Sequence, residues 1–177
     1  MACTAIPWDH VDEEMLLKPK KWDANGIGKF MLVFGPISSI FDWVTYATLF
    51  FILCPRFAGG AYNAAGVDQS HFASLFQTGW FVESMWTQIS IILLLRSRRL
   101  PFGKNRPARF LLFSACASLA VVTALPYTPL GNYLSLSPLG WEFYVFLGLV
   151  IVSYMALTSL VKFIYQRKED RRLALIK

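Results

Sequence analysis

The chain has 177 residues, of which 55% are hydrophobic and 16% aromatic, and its mean hydropathy is +0.46. Fifteen Phe and six Trp exceed what a single soluble core of this size uses, and the 16% of charged residues are clustered rather than scattered. The net charge of +6 lies beside apolar runs, where orientation signals belong, so no nucleic-acid partner is expected. An all-α integral membrane protein is.

Residues 1–29 begin "MACTAIPWDHVDEEMLLKPKKW", a mixed-charge stretch without the apolar core of a signal peptide. Its acidic cluster, Asp9, Asp12, Glu13 and Glu14, reads as a solvated surface suited to docking a partner domain. Four apolar runs follow, at about 30–53, 72–95, 110–130 and 141–165. Each reaches or approaches the ~20 residues that a helix rising ~1.5 Å per residue needs to cross the hydrocarbon. Pro126 and Pro129 crowd the end of the third run. "SPLGW" before the fourth resembles a helix start with Trp141 at headgroup level, and "QRKEDRRLALIK" reads as a solvated helix extension whose basic residues also suit anionic lipid.

The connections set the expected topology. Lys18, Lys20, Lys21 and Lys29 precede the first run. The loop "RSRRLPFGKNRPAR" carries six more basic residues, and Lys162 with the tail carries the rest. The other two connections offer only Arg56, so sixteen of the seventeen Lys and Arg fall on one side. The positive-inside rule then puts both termini in the cytoplasm and arranges the four spans as two antiparallel hairpins. The reading divides the chain into a cytoplasmic loop segment, 1–29, and a four-helix transmembrane domain, 30–177, with a short cytoplasmic tail. Lys162, near the cytoplasmic end of the last span, is expected to snorkel outward.

Cys3, Cys54 and Cys116 form no CxxC pair, and the latter two read as small apolar fillers. His10 and His71 have no ligand-spaced companion. "SACASLA" packs Ser114, Ala115, Ala117 and Ser118 into a face for close helix contact. Pro36, one to two turns before Asp42, is expected to kink the first span and to free a carbonyl near residue 32. Trp43 and Trp86 read as packing residues.

Two acids stand near the membrane midplane: Asp42, about the thirteenth residue of the first run, and Glu83, about the twelfth of the second. An Asp at a helix centre costs ~2.5–3.5 kcal/mol even on a lenient insertion scale, so the pair at matched depth needs a joint explanation. Ser38, Ser39, Thr45 and Tyr46 stand three or four residues from Asp42 and share or border its face. Thr87 and Ser90 follow Glu83 by four and seven residues, with Gln88 a little off that stripe. No Lys or Arg lies at that depth. Two readings stay open: protonated acids hydrogen-bonded to Ser and Thr as helix–helix glue, or a cation or proton path. Oxygen-only surroundings suit a hard cation such as Mg²⁺ or Ca²⁺.

The sequence has no phosphate loop, HExxH, GxSxG or paired-cysteine metal motif. Two buried acids without an energy-coupling domain read as part of a larger machine. "AIPWDHVDEE", "KFMLVFGPISSIFD", "LFQTGWFVESMWTQ", "RSRRLPF", "ALPYTPLGNYL" and "YMALTSLVKFIY" together resemble, in order and spacing, the last part of bacterial magnesium-transporting P-type ATPases. The resemblance covers almost the whole chain. It implies that the four spans correspond to the seventh to tenth transmembrane helices, in a multi-pass protein of the bacterial inner membrane. It also implies ATP-driven Mg²⁺ import, with Mg²⁺ as the transported ion. ATP would be used only by domains that this sequence does not contain, since the "DKTG" phosphorylation motif, the nucleotide domain and six helices are missing from it. The implied partners are membrane lipid and the remaining helices and cytoplasmic domains of such a pump. No catalytic residue is carried over, and the chain alone is expected neither to hydrolyse ATP nor to pump. Asp42 matches the conspicuous acid of the seventh helix, and Glu83 a position acidic in many cation pumps. Both are the expected cation-path residues, with Ser38, Ser39, Thr45 and Thr87 as support. The rival readings are a stand-alone proton-coupled transporter and a structural membrane subunit.

Overall fold

The computed structural model describes residues 24–95 and 108–175, which are helices and turns with no strand among the described residues. Helix α1 spans Ala24–Thr48, widens into a π-helical turn at Leu49–Leu53, and continues as α2 (Cys54–Ala58). Helix α3 is Gln69–Leu95 and α4 is Arg109–Ala124. A 3₁₀ turn at Leu125–Tyr127, the short α5 (Pro129–Tyr133) and the long α6 (Trp141–Leu175) complete the chain. The acidic cluster at 9–14, Cys3, His10, the basic residues at 18–21 and 96–106, and Lys177 lie outside the described residues.

Among the described residues, three helices are long and apolar enough to cross a membrane: Met31–Ala58, Arg109–Tyr127 and Trp141–Ile164. The run expected as the second span, 72–95, is helical as α3 but is not one of the three. Glu83, Ser84, Thr87 and Gln88 lower its hydropathy, and α3 packs against α1, α2, α4 and α6 rather than presenting an apolar outer face.

Local chemistry accounts for the boundaries. Helix α2 stops at Gly59, whose φ of +82° is the left-handed cap that glycine adopts without strain. The Asp68 carboxylate starts α3 by accepting from the Ser70 amide at 2.9 Å and the Ser70 hydroxyl at 2.7 Å. These bonds hold the Asp68 carboxyl below its ordinary pKa. The π-helical turn was not foreseen. It places the Cys54 amide on the Leu49 carbonyl, just before Pro55, whose ring has no amide and would crowd the carbonyl four residues back in a tight α turn. The third run does not continue unbroken to residue 130. Pro126 closes it as a 3₁₀ turn and Thr128 is extended (φ −100°, ψ 158°). Helix α6 begins at Trp141, as "SPLGW" indicates, and runs through the basic tail to Leu175.

Packing in a bilayer rests on close contact rather than on expelling water. The main cluster joins Leu49, Leu53, Cys54, Phe72, Leu75 and Phe143 at one end of the bundle. Gly79 makes the α1–α3 approach, since a Cβ there would lie 2.5 Å from Leu49 Cδ2. On α4, Ala115 is buried against Ile89 of α3 and Ser114 and Ser118 are half-buried, whereas Ala117 is exposed, so the expected small-residue face packs only in part. Cys54 fills the main cluster, whereas Cys116 is exposed. Hydroxyls fasten the 134–140 segment to α3. Ser74 and Ser137 lie 2.7 Å apart, and Thr78 accepts from the Ser137 amide at 2.9 Å. Arg56 meets Glu142 at 3.5 Å.

The expectation for Lys162 is corrected. It does not snorkel: it is 6% exposed, and its Nζ donates to the Leu94 carbonyl at 2.7 Å. A backbone carbonyl has two lone pairs, so the Leu94 oxygen can accept from the ammonium and satisfy Lys162 within the bundle.

Candidate functional site

The sequence-expected acids come from two helices that pack together. Asp42 is half-buried on α1, and Glu83 is completely buried on α3. The two carboxyls are near enough for their charges to interact. Helix α6 supplies a third wall that the sequence reading did not include. Tyr154 is buried there, its ring edge-on to Phe41 at 5.3 Å, its hydroxyl beside Ser38 and within electrostatic reach of both acids. The structure therefore brings together Ser38, Asp42, Glu83 and Tyr154.

The supporting hydroxyls divide. Thr45, one turn from Asp42, is fully buried. Thr87 is buried, but its proton goes to its own helix, with Oγ1 3.1 Å from the Glu83 carbonyl and 3.0 Å from that of Ser84. Ser39 is exposed and donates to the Gly35 carbonyl at 3.3 Å. Such back-bonds inside a helix compete with side-chain ligation but leave the hydroxyl lone pairs free.

Several buried oxygens make no hydrogen bond to the described residues. They include both carboxyl oxygens of Glu83, Oγ1 of Thr45 and Oγ1 of Thr158. Buried polar atoms are rarely left this way, and each such atom calls for a partner of another kind. No group of three His, Cys, Asp or Glu able to hold a metal occurs among the described residues. An ion held here would draw on two carboxylates with hydroxyl oxygens. That donor set fits a hard cation that keeps part of its water, as Mg²⁺ does.

Tyr154 and Thr158 had a signal in the sequence. With Lys162 they repeat every four residues along an otherwise apolar helix, a polar stripe like the one found around Asp42. Elsewhere, an open groove of about 690 Å³ is lined by Trp86, Cys116, Ala120, Thr123 and Tyr144. Its walls are nearly all apolar and it contains neither Asp42 nor Glu83. Trp86 donates to Thr123 at 3.1 Å there, which ties α3 to α4, while Trp43 is exposed on α1.

Residues 1–164 match the family described as "Cation transporting ATPase, C-terminus". The chain belongs to this family. Among its relatives, the "Magnesium-transporting ATPase, P-type 1" of Salmonella typhimurium LT2 is 38% identical over 164 residues. The protein of that name from Escherichia coli K12 is 35% identical over the same length. Each match covers 93% of this chain and 17% of the relative, so the chain spans about a sixth of the length of the curated relatives it matches. In this family member the acids lie where three helices of the C-terminal region meet.

Proposed function

We propose that this chain is the membrane C-terminal part of an ATP-driven Mg²⁺ importer of the P-type class, in a bacterial inner membrane. Four spans form two antiparallel hairpins with both termini cytoplasmic. Residues 1–29 are a cytoplasmic loop segment and residues 30–177 the transmembrane domain. Helix α3 counts as a span because its polar residues are shielded by its neighbours, which is how polar residues persist at membrane depth. Lipid surrounds the exposed apolar faces, and the partners are the remaining helices and the ATP-using cytoplasmic domains of such a pump.

The observation that carries the reading is the convergence of Asp42 and Glu83, on two packed helices, in a member of the cation-transporting ATPase family. The relatives' names supply Mg²⁺. Within the pump, the pair contributes to the cation path, with Ser38, Ser39, Thr45 and Thr87 as oxygen-bearing support.

Asp42→Asn in the intact pump tests this. The neutral amide keeps the volume and removes the charge, so the Mg²⁺ concentration for half-maximal ATPase activity should rise about tenfold, equivalent to about 1.4 kcal/mol. An unchanged profile across the titration would take Asp42 out of the ion path.

A further inference from the structure

Tyr154 stands near the middle of the apolar stretch Trp141–Ile164, within "LVIVSYMAL". Ser153 beside it is exposed, whereas Tyr154 is buried. A phenylalanine would supply the same ring to the packing. The hydroxyl is therefore the part that needs a reason, because a buried hydroxyl costs free energy unless it finds a polar partner.

The packing fixes where that hydroxyl lies. Helix α6 packs against both α1 and α3, and the Tyr154 ring stands edge-on to Phe41, with centroids 5.3 Å apart and planes at 77°. Its hydroxyl end is beside Ser38. Ser38 and Phe41 are three residues apart on α1, so the tyrosine lies along the face that they share, with Asp42 at its border. Both acids are within electrostatic reach of the hydroxyl, yet neither carboxyl oxygen of Glu83 takes a hydrogen bond from it. The phenol is thus held at the acid pair without being the donor that would make Glu83 plain helix–helix glue.

We propose that Tyr154 is a further residue of the cation path, the neutral oxygen that α6 adds to Asp42, Glu83 and Ser38. The inference deepens, and rests on, the reading of Asp42 as a cation-path residue. A magnesium ion dehydrates reluctantly and keeps several waters when one or two carboxylates bind it. A phenol both donates and accepts, so its hydroxyl bonds a water that the ion retains while the carboxylates meet the charge. Because the ring is buried against Phe41, the hydroxyl is presented in a fixed place, and binding loses little side-chain freedom.

The test is Mg²⁺ uptake by the intact pump in proteoliposomes, with Tyr154→Phe measured beside Asp42→Asn. Tyr154→Phe keeps the ring contact with Phe41 and removes only the hydroxyl. The half-saturating Mg²⁺ should rise about tenfold, the lower end of what a lost outer-shell partner costs a metal site. The change should fall on half-saturation rather than on the maximal rate. Tyr154→Met, a more adaptable side chain that also lacks the hydroxyl, should give the same shift. A purely structural tyrosine would instead lower the maximal rate and the thermal midpoint and leave half-saturation where it was, and that result would overturn the inference. A shift in Asp42→Asn with none in either Tyr154 variant would overturn it too, and leave the reading of Asp42 standing. No shift in any of the three would overturn both.

Discussion

Asp42 and Glu83 were legible in the sequence because a carboxylate in an apolar run is an energetic exception that hydropathy alone exposes. Their depth could be counted along each helix, and the structure brings the two together. Tyr154 and Thr158 were not found, since neither residue type is unusual in a membrane helix. Their part follows from α6 packing against both acid-bearing helices, a tertiary fact. Lys162 was misread for the same reason, because a snorkelling rule knows only the headgroups and not the carbonyl of a neighbouring helix. Lys162→Met should remove this charge-assisted hydrogen bond to the Leu94 carbonyl and lower stability by about 1–3 kcal/mol in thermal unfolding. A change within experimental error would mean that the bond carries no weight. Asp68 makes a prediction in pH. Its carboxyl is held below the ordinary value of 3.8 by Ser70, so its support for the start of α3 is complete above that value. The support is lost as pH falls through the lower, folded-state value. Asp68→Asn should make helix content near that end of α3 independent of pH in this range, as monitored by amide exchange.

At the scale of elements, the apolar runs marked where all four long helices lie, although among the described residues only three of these helices are long and apolar enough to cross a membrane. The breaks were less visible. Pro126 and Pro129 marked the end of α4, whereas the π-helical turn at Leu49–Leu53 had only Pro55 to announce it, and "LFFIL" carries no punctuation of its own. The turn matters because Leu49, within it, fills the space left by Gly79. Gly79→Ala should therefore cost about 1–3 kcal/mol through overpacking of α1 against α3. In a Leu49→Ala background the same substitution should cost less than about 0.5 kcal/mol, a coupling that a double-mutant cycle in detergent unfolding reads directly. Additive costs would place the strain elsewhere.

For the whole molecule, family and topology depend on different information. The proposed topology rests on assigning sixteen basic residues to one side, and most of these lie in segments outside the described structure. Cysteines introduced at Ala61 and Asn132 should react with an impermeant maleimide from the periplasmic side, and one at Lys104 only after the inner membrane is opened. The reverse pattern would invert the protein. Joint action of the two acids is a question of coupling, since a shared site makes them energetically coupled, and separate roles leave them independent. The most direct measurement is Mg²⁺ uptake into proteoliposomes by the intact pump carrying Asp42→Asn, Glu83→Gln or both. One shared cation path predicts that each single variant raises the half-saturating Mg²⁺ about tenfold and that the double variant rises little further, a coupling of about 1.4 kcal/mol. Multiplicative effects of about a hundredfold, or no shift in any variant, would contradict a common site for Asp42 and Glu83.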